Sequence, residues 1–86
     1  MTDIYEIIGQ IAAILTTSSF APQVYKTWRE KSSKGISLAM YVMIFVGVAF
    51  WLVYGLHIKS TPIITANIAT EIMVIMMLYF KFKYRE

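Results

Sequence analysis

Apolar positions along this chain fall into three long blocks instead of the spaced stripe of an amphipathic helix. From position 36 to 58 no Asp, Glu, Lys or Arg occurs in 23 consecutive residues, enough for one α-helix to cross roughly 30 Å of hydrocarbon. A second block, 61–80, is interrupted only by Glu71, and a third, 7–25, carries no charge and extends outward through Ile4. The pattern predicts three helices, at about 4–25, 37–57 and 61–80, in one domain with no internal repeat or linker. Residues 26 to 35, rich in turn formers at Ser32, Ser33 and Gly35, read as the first connection. Thr61 is placed to cap the last helix and Pro62 to occupy its first position, where a missing donor costs nothing. Tyr79, Tyr84 and the basic tail mark its far end as a membrane interface. The fold class is an all-α membrane protein, a bundle of three transmembrane helices.

Composition agrees with that reading. Hydrophobic residues make up 58% of the chain and charged ones 15%, against about 25% charged in soluble domains. A soluble three-helix bundle this small would lack the polar surface to cover itself. Asp3 and Glu6 stand where a secretory signal would carry basic residues. With no cysteine there is no disulfide, thiol nucleophile or thiolate metal site. One membrane carboxylate and one distant histidine form no catalytic set, so neither an enzyme nor a metal or cofactor site is expected. His57, at a helix end, reads as solvated.

Charge adds an orientation. Lys26, Arg29, Lys31 and Lys34 lie between the first two blocks, Lys81, Lys83 and Arg85 follow the third, and Lys59 alone lies in the second connection. Seven of the eight basic residues thus share one side, which the positive-inside rule assigns to the cytoplasm, leaving the N-terminus outside. The net charge of +3 is a topology signal; two juxtamembrane clusters are not a nucleic-acid-binding stripe.

The first block is broken near its end by Pro22-Gln23. Proline removes a donor and frees the Ser18 carbonyl four residues earlier, in a solvent that cannot satisfy it. The residue is a hinge or a static kink, and Ser18 and Ser19 either line a cavity there or rescue that carbonyl.

At 1.5 Å and 100° per residue, Trp51 and Asn67 lie at matching depth on adjacent, oppositely running helices, each about 10 Å from the outer end. Glu71 shares a face with Asn67, and Thr70 flanks it. Met40, Ile44, Gly47, Trp51 and Tyr54 form one stripe on the second helix. Bland roles compete with functional ones at each position. Tyr54 and Trp51 are interfacial anchors or pocket walls; Asn67 is interhelical glue or a substrate contact. Met40 and Ile44 are packing or gate, and Gly47 permits close packing or opens a pocket. Glu71 carries a proton, binds a hydroxyl-rich solute, pairs with Thr16 or Thr17, or faces a wet cavity. Aromatic faces beside an amide suit a neutral polyol such as a pyranose, and amino-acid carriers use the same groups. Three helices cannot surround such a solute alone, so a transport path needs a second copy related by an axis along the membrane normal.

With these residues in place, the chain resembles the bacterial SemiSWEET sugar transporters of the PQ-loop superfamily. The resemblance rests on Thr16-Thr17-Ser18-Ser19-Phe20-Ala21-Pro22-Gln23, then Lys34-Gly35-Ile36-Ser37, then Trp51-Leu52-Val53-Tyr54-Gly55, and Ala66-Asn67, in order over almost the whole length. It implies a parallel homodimer in a bacterial inner membrane with one sugar site between the copies, built from two Trp51 and two Asn67. It implies that Pro22 and Gln23 let the first helix bend as gates alternate, with Tyr54 at the outer gate and Met40 at the inner one. The turn His57 to Ser60 carries no Arg–Asp pair, and Glu71 stands where an apolar residue is expected. The competing readings are a proton-coupled carrier of another small solute, such as an amino acid, and a membrane subunit that transports nothing.

Overall fold

A computed structural model describes residues 3–84; Arg85, counted above in the basic tail, lies outside them. Helix α1 spans Ile4–Ser18, α2 Ala21–Glu30, α3 Leu38–Ile58 and α4 Thr61–Lys83. Each long helix opens on a side-chain oxygen that takes up an otherwise orphaned backbone N–H. Asp3 accepts from the Glu6 N–H at 2.8 Å, Ser37 from Met40 at 3.1 Å and Ser60 from Ile63 at 3.4 Å. The cap of α4 is therefore Ser60 and not Thr61, and Pro62 sits one place later than expected, still in the first turn where no donor is missed.

Two helix ends run past their expected limits. The first apolar block continues as helix to Glu30, so its connection is shorter than the 26–35 loop expected. The reason is local: α2 is amphipathic, burying Val24 and Thr27 while Lys26 and Arg29 point outward, and nothing stops it before Lys31 turns left-handed at φ 52°. Helix α4 likewise passes Phe80, which is buried, and ends with Tyr84 stacked on the Phe80 ring at 5.7 Å.

Between α1 and α2 the chain tightens without leaving helical space. Ser19 and Phe20 keep φ, ψ of −65°, −20° and −77°, −24°. The Phe20 N–H donates to Thr17 and the Gln23 N–H to Phe20, both three residues back at 3.1 Å. This is a kink built from a short 3₁₀ turn, and together the two pieces form a 27-residue span, Ile4–Glu30.

Helix α4 lies in the middle: it packs against α1 and α2 on one side and α3 on the other, and α1 does not meet α3. The molecule measures 48 × 21 × 14 Å, its thinnest dimension a little above the diameter of about 10–12 Å of one helix. Two contacts hold the end where α1 starts. A Cβ on Gly9 would lie 3.3 Å from the Pro62 ring, and one on Gly55 only 2.7 Å from Ile63 Cγ2. At the other end a small core of Val24, Tyr41, Val74, Met77 and Phe80 joins α2, α3 and α4. Large apolar side chains otherwise point outward, among them Ile14, Met43, Phe50 and Ile72. That inverts a soluble protein's surface and matches one solvated by lipid tails.

Candidate functional site

Trp51 and Tyr54, three apart on α3 and so one above the other on the same face, meet edge-to-face with ring centroids 5.8 Å apart and planes at 76°. With Gly47 and Phe50 they line an open groove of about 480 Å³. Gly47 is its floor: a Cβ there would meet nothing within 4 Å. The close-packing role considered for Gly47 falls instead to Gly55, eight residues on, where α3 touches α4. Trp51 is 53% exposed, so most of its indole surface beyond the Tyr54 contact stays open.

On α4, the Asn67 Nδ2 donates to the Ile63 carbonyl at 2.8 Å. That bond is within its own helix. Thr70 is partly buried beside Thr17, their hydroxyls 3.4 Å apart, and the Thr17 hydroxyl lies 3.3 Å from the Ala66 carbonyl it donates to. Thr16 turns back to the Ala12 carbonyl at 2.9 Å. Both threonines are thus engaged elsewhere and neither pairs with Glu71, one of the roles considered for it. The Glu71 Oε1 is buried with no hydrogen-bond partner among the described residues. Asn67 does not line the Trp51 groove of the same chain.

At the kink the structure revises the assignment of Ser19. Because Phe20 donates to Thr17, the Thr16 carbonyl loses its usual i+4 donor, and the Ser19 hydroxyl fills that place at 2.6 Å. Ser19 therefore rescues the Thr16 carbonyl and not that of Ser18. Ser18 itself lines a groove of about 300 Å³ between α1 and α4, with Gln10 and Thr65. The Gln23 Oε1 accepts a 2.7 Å hydrogen bond from the hydroxyl of Tyr41, which is 2% exposed. The segment after the kink is thereby tied to α3. Sequence reasoning passed over Tyr41. Its signal was a tyrosine in an apolar run, a residue that needs a hydrogen-bond partner once buried.

Met40 and Ile44 part company. Met40 is exposed and lines a groove of about 330 Å³ with Gln23 and Tyr41 at the end near the first connection. Ile44 is half-buried against the small core, which is a packing position. The basic residues converge there too: Lys81 Nζ approaches the Ser33 carbonyl at 3.4 Å, and the Ser33 hydroxyl donates to the Tyr84 carbonyl.

The fold and this placement define a class: a three-span membrane half-bundle with its polar and aromatic side chains open along one layer. Residues 4–64 match the PQ loop repeat. A sugar transporter SemiSWEET of Leptospira biflexa is 47% identical, with 87% of this chain and 88% of that protein aligned. One from Bradyrhizobium diazoefficiens is 37% identical over 92% of each. A crystal structure of a bacterial homologue of SWEET transporters superposes with a TM-score of 0.91 at 36% identity, covering 95% of this chain and 99% of the other. SemiSWEET in an inward-open conformation gives 0.86, also at 36% identity, covering 93% of both. The chain belongs to the PQ-loop superfamily, in its SemiSWEET family.

Proposed function

We propose that this chain is a passive sugar carrier, working by alternating access as a parallel homodimer with one solute site on the twofold axis. The observation that carries the reading is the open Trp51–Tyr54–Gly47 groove on a molecule only 14 Å thick. One such layer cannot enclose a hexose, while two facing layers bring two Trp51 rings and two Asn67 amides around a common space. Flat indole faces stack on the apolar side of a pyranose ring, and amide oxygens accept from its hydroxyls. The relatives' transporter names support the substrate class. Pro22 and Gln23 serve as the hinge, with Tyr54 at the outer gate and Met40 at the inner one; Ser19, Gly47, Thr70 and Glu71 edge the cavity. On this reading the chain sits in a bacterial inner membrane with its C-terminal side in the cytoplasm and its N-terminus in the periplasm, an orientation the basic clusters support. The test is sugar uptake into vesicles. Trp51→Ala and Asn67→Ala are each expected to abolish glucose or sucrose uptake while the dimer stays folded. Undiminished uptake in both would remove the site.

A second reading is favoured by one observation, the partnerless buried Oε1 of Glu71. A carboxyl in that position suits a proton-coupled carrier. Uptake that ignores an imposed pH gradient and survives Glu71→Gln would dismiss coupling.

A further inference from the structure

The basic end holds a second built feature, on the flank of α4 turned away from Asn67. Trp28, Arg29, Lys31, Lys83 and Tyr84 line a cavity of about 630 Å³. Among the described residues its wall carries three cations and no carboxylate. The Lys83 Nζ lies 5.5 Å from the centroid of the Tyr79 ring and 5.6 Å from that of Tyr84, so two aromatic faces hold the ammonium at the cavity edge. Trp28 is also a wall of an apolar groove of about 410 Å³ that runs along α2 and α4 between Ala21, Tyr25, Met73 and Met76. The two features therefore meet at one indole. At 100° per residue, Met73 and Met76 sit roughly 120° and 180° around α4 from Asn67. The groove thus belongs to the outer, lipid-facing flank and not to the solute face.

We propose that this composite site binds an anionic phospholipid, its phosphate held by Arg29, Lys31 and Lys83 and one acyl chain lying in the Ala21–Met76 groove. The fit is chemical and positional. Guanidinium and ammonium groups recognise phosphate, and an amphipathic Trp28 at the junction matches the headgroup boundary, where indoles prefer to sit. The apolar groove begins where the cations end, as the tail of a lipid begins at its glycerol. A soluble phosphate compound would use the cationic half alone and leave the groove idle. The site is separate from the sugar pocket and does not rest on the transport reading.

The test titrates the purified full chain in neutral detergent, followed by native mass spectrometry. The probes are dioleoyl-phosphatidylglycerol, dioleoyl-phosphatidylcholine and glycerol 3-phosphate. Each cation near an anionic headgroup contributes about a factor of five, so phosphatidylglycerol is expected to bind roughly a hundredfold more tightly than phosphatidylcholine. Arg29→Gln combined with Lys83→Gln is expected to lower that preference about 25-fold by the same factors. Lys59→Gln, at the opposite end, leaves it unchanged. Ala21→Phe, which fills the groove and spares every charge, weakens both lipids and preserves their ratio. Equal affinity for the two lipids, or a preference that survives the double variant, overturns the proposal. Glycerol 3-phosphate binding as tightly as phosphatidylglycerol also overturns it, in favour of a free-phosphate site.

Discussion

Several side chains pay different costs for standing where they do, and each cost is open to measurement. Glu71 holds a carboxyl oxygen away from water with no partner among the described residues. An unmet buried acceptor costs about 1–3 kcal/mol. Glu71→Leu is therefore expected to raise thermal stability in detergent by about that amount. A fall instead would mean that the carboxyl finds a partner in the proposed dimer. Lys59 closes α3 in the left-handed conformation, φ 57°, donating its N–H to Leu56 at 3.3 Å while Ser60 donates to Gly55 at 3.0 Å. This paired 6→1 and 5→2 closure usually employs glycine at the left-handed residue. An L side chain is strained there by roughly 1–2 kcal/mol, so Lys59→Gly should stabilise the turn by about 1 kcal/mol, read as a higher unfolding midpoint. The same residue bears the only charge of its connection, and its replacement leaves the two basic clusters at the other end intact.

At the level of the helix, two glycines on α3 separate packing from function. A methyl at Gly55 would press into Ile63, whose β-branched stem has one strongly preferred χ1 rotamer in a helix and little room to yield. Gly55→Ala is expected to destabilise by about 1–3 kcal/mol through overpacking. Gly47→Ala should raise stability by about 0.5–1 kcal/mol, because alanine favours the helix and nothing stands in the way, and should narrow the Trp51 groove and reduce sugar uptake. Thermal melts and uptake on both variants check the pair. This division also measures what the chain disclosed in advance. The existence and order of the spans were legible because uncharged runs of this length have one physical outcome. Trp51 and Asn67 were legible as site candidates because polar and aromatic groups at membrane depth are expensive, although their joint role awaits the uptake test. The close-packing role considered for Gly47 went to Gly55, which was not weighed, because only the true crossing point of α3 and α4 decides which glycine touches. Tyr41–Gln23 and Ser19–Thr16 were missed for a related reason: each depends on how the 3₁₀ turn at Phe20 re-aims its neighbours, which periodicity at 100° per residue does not describe.

For the whole molecule, the decisive quantity is thickness. A layer of 14 Å with its α1 and α3 edges apart has no interior large enough for a hexose, so the proposed carrier needs two copies to share the solute. If each copy supplies one Trp51 and one Asn67 to a single site, a dimer with one Trp51→Ala subunit holds half a site and should carry no sugar. Subunits mixed freely before reconstitution assort at random, so with equal amounts of native and Trp51→Ala chains about a quarter of the dimers are wholly native. Uptake should then fall to about a quarter of the all-native rate, following the square of the native fraction across a series of mixtures. Carriers that work as single chains would lose uptake in direct proportion, leaving about half at the same mixture. The curvature of that plot therefore distinguishes a shared site from two independent ones, whatever the absolute rate of the carrier.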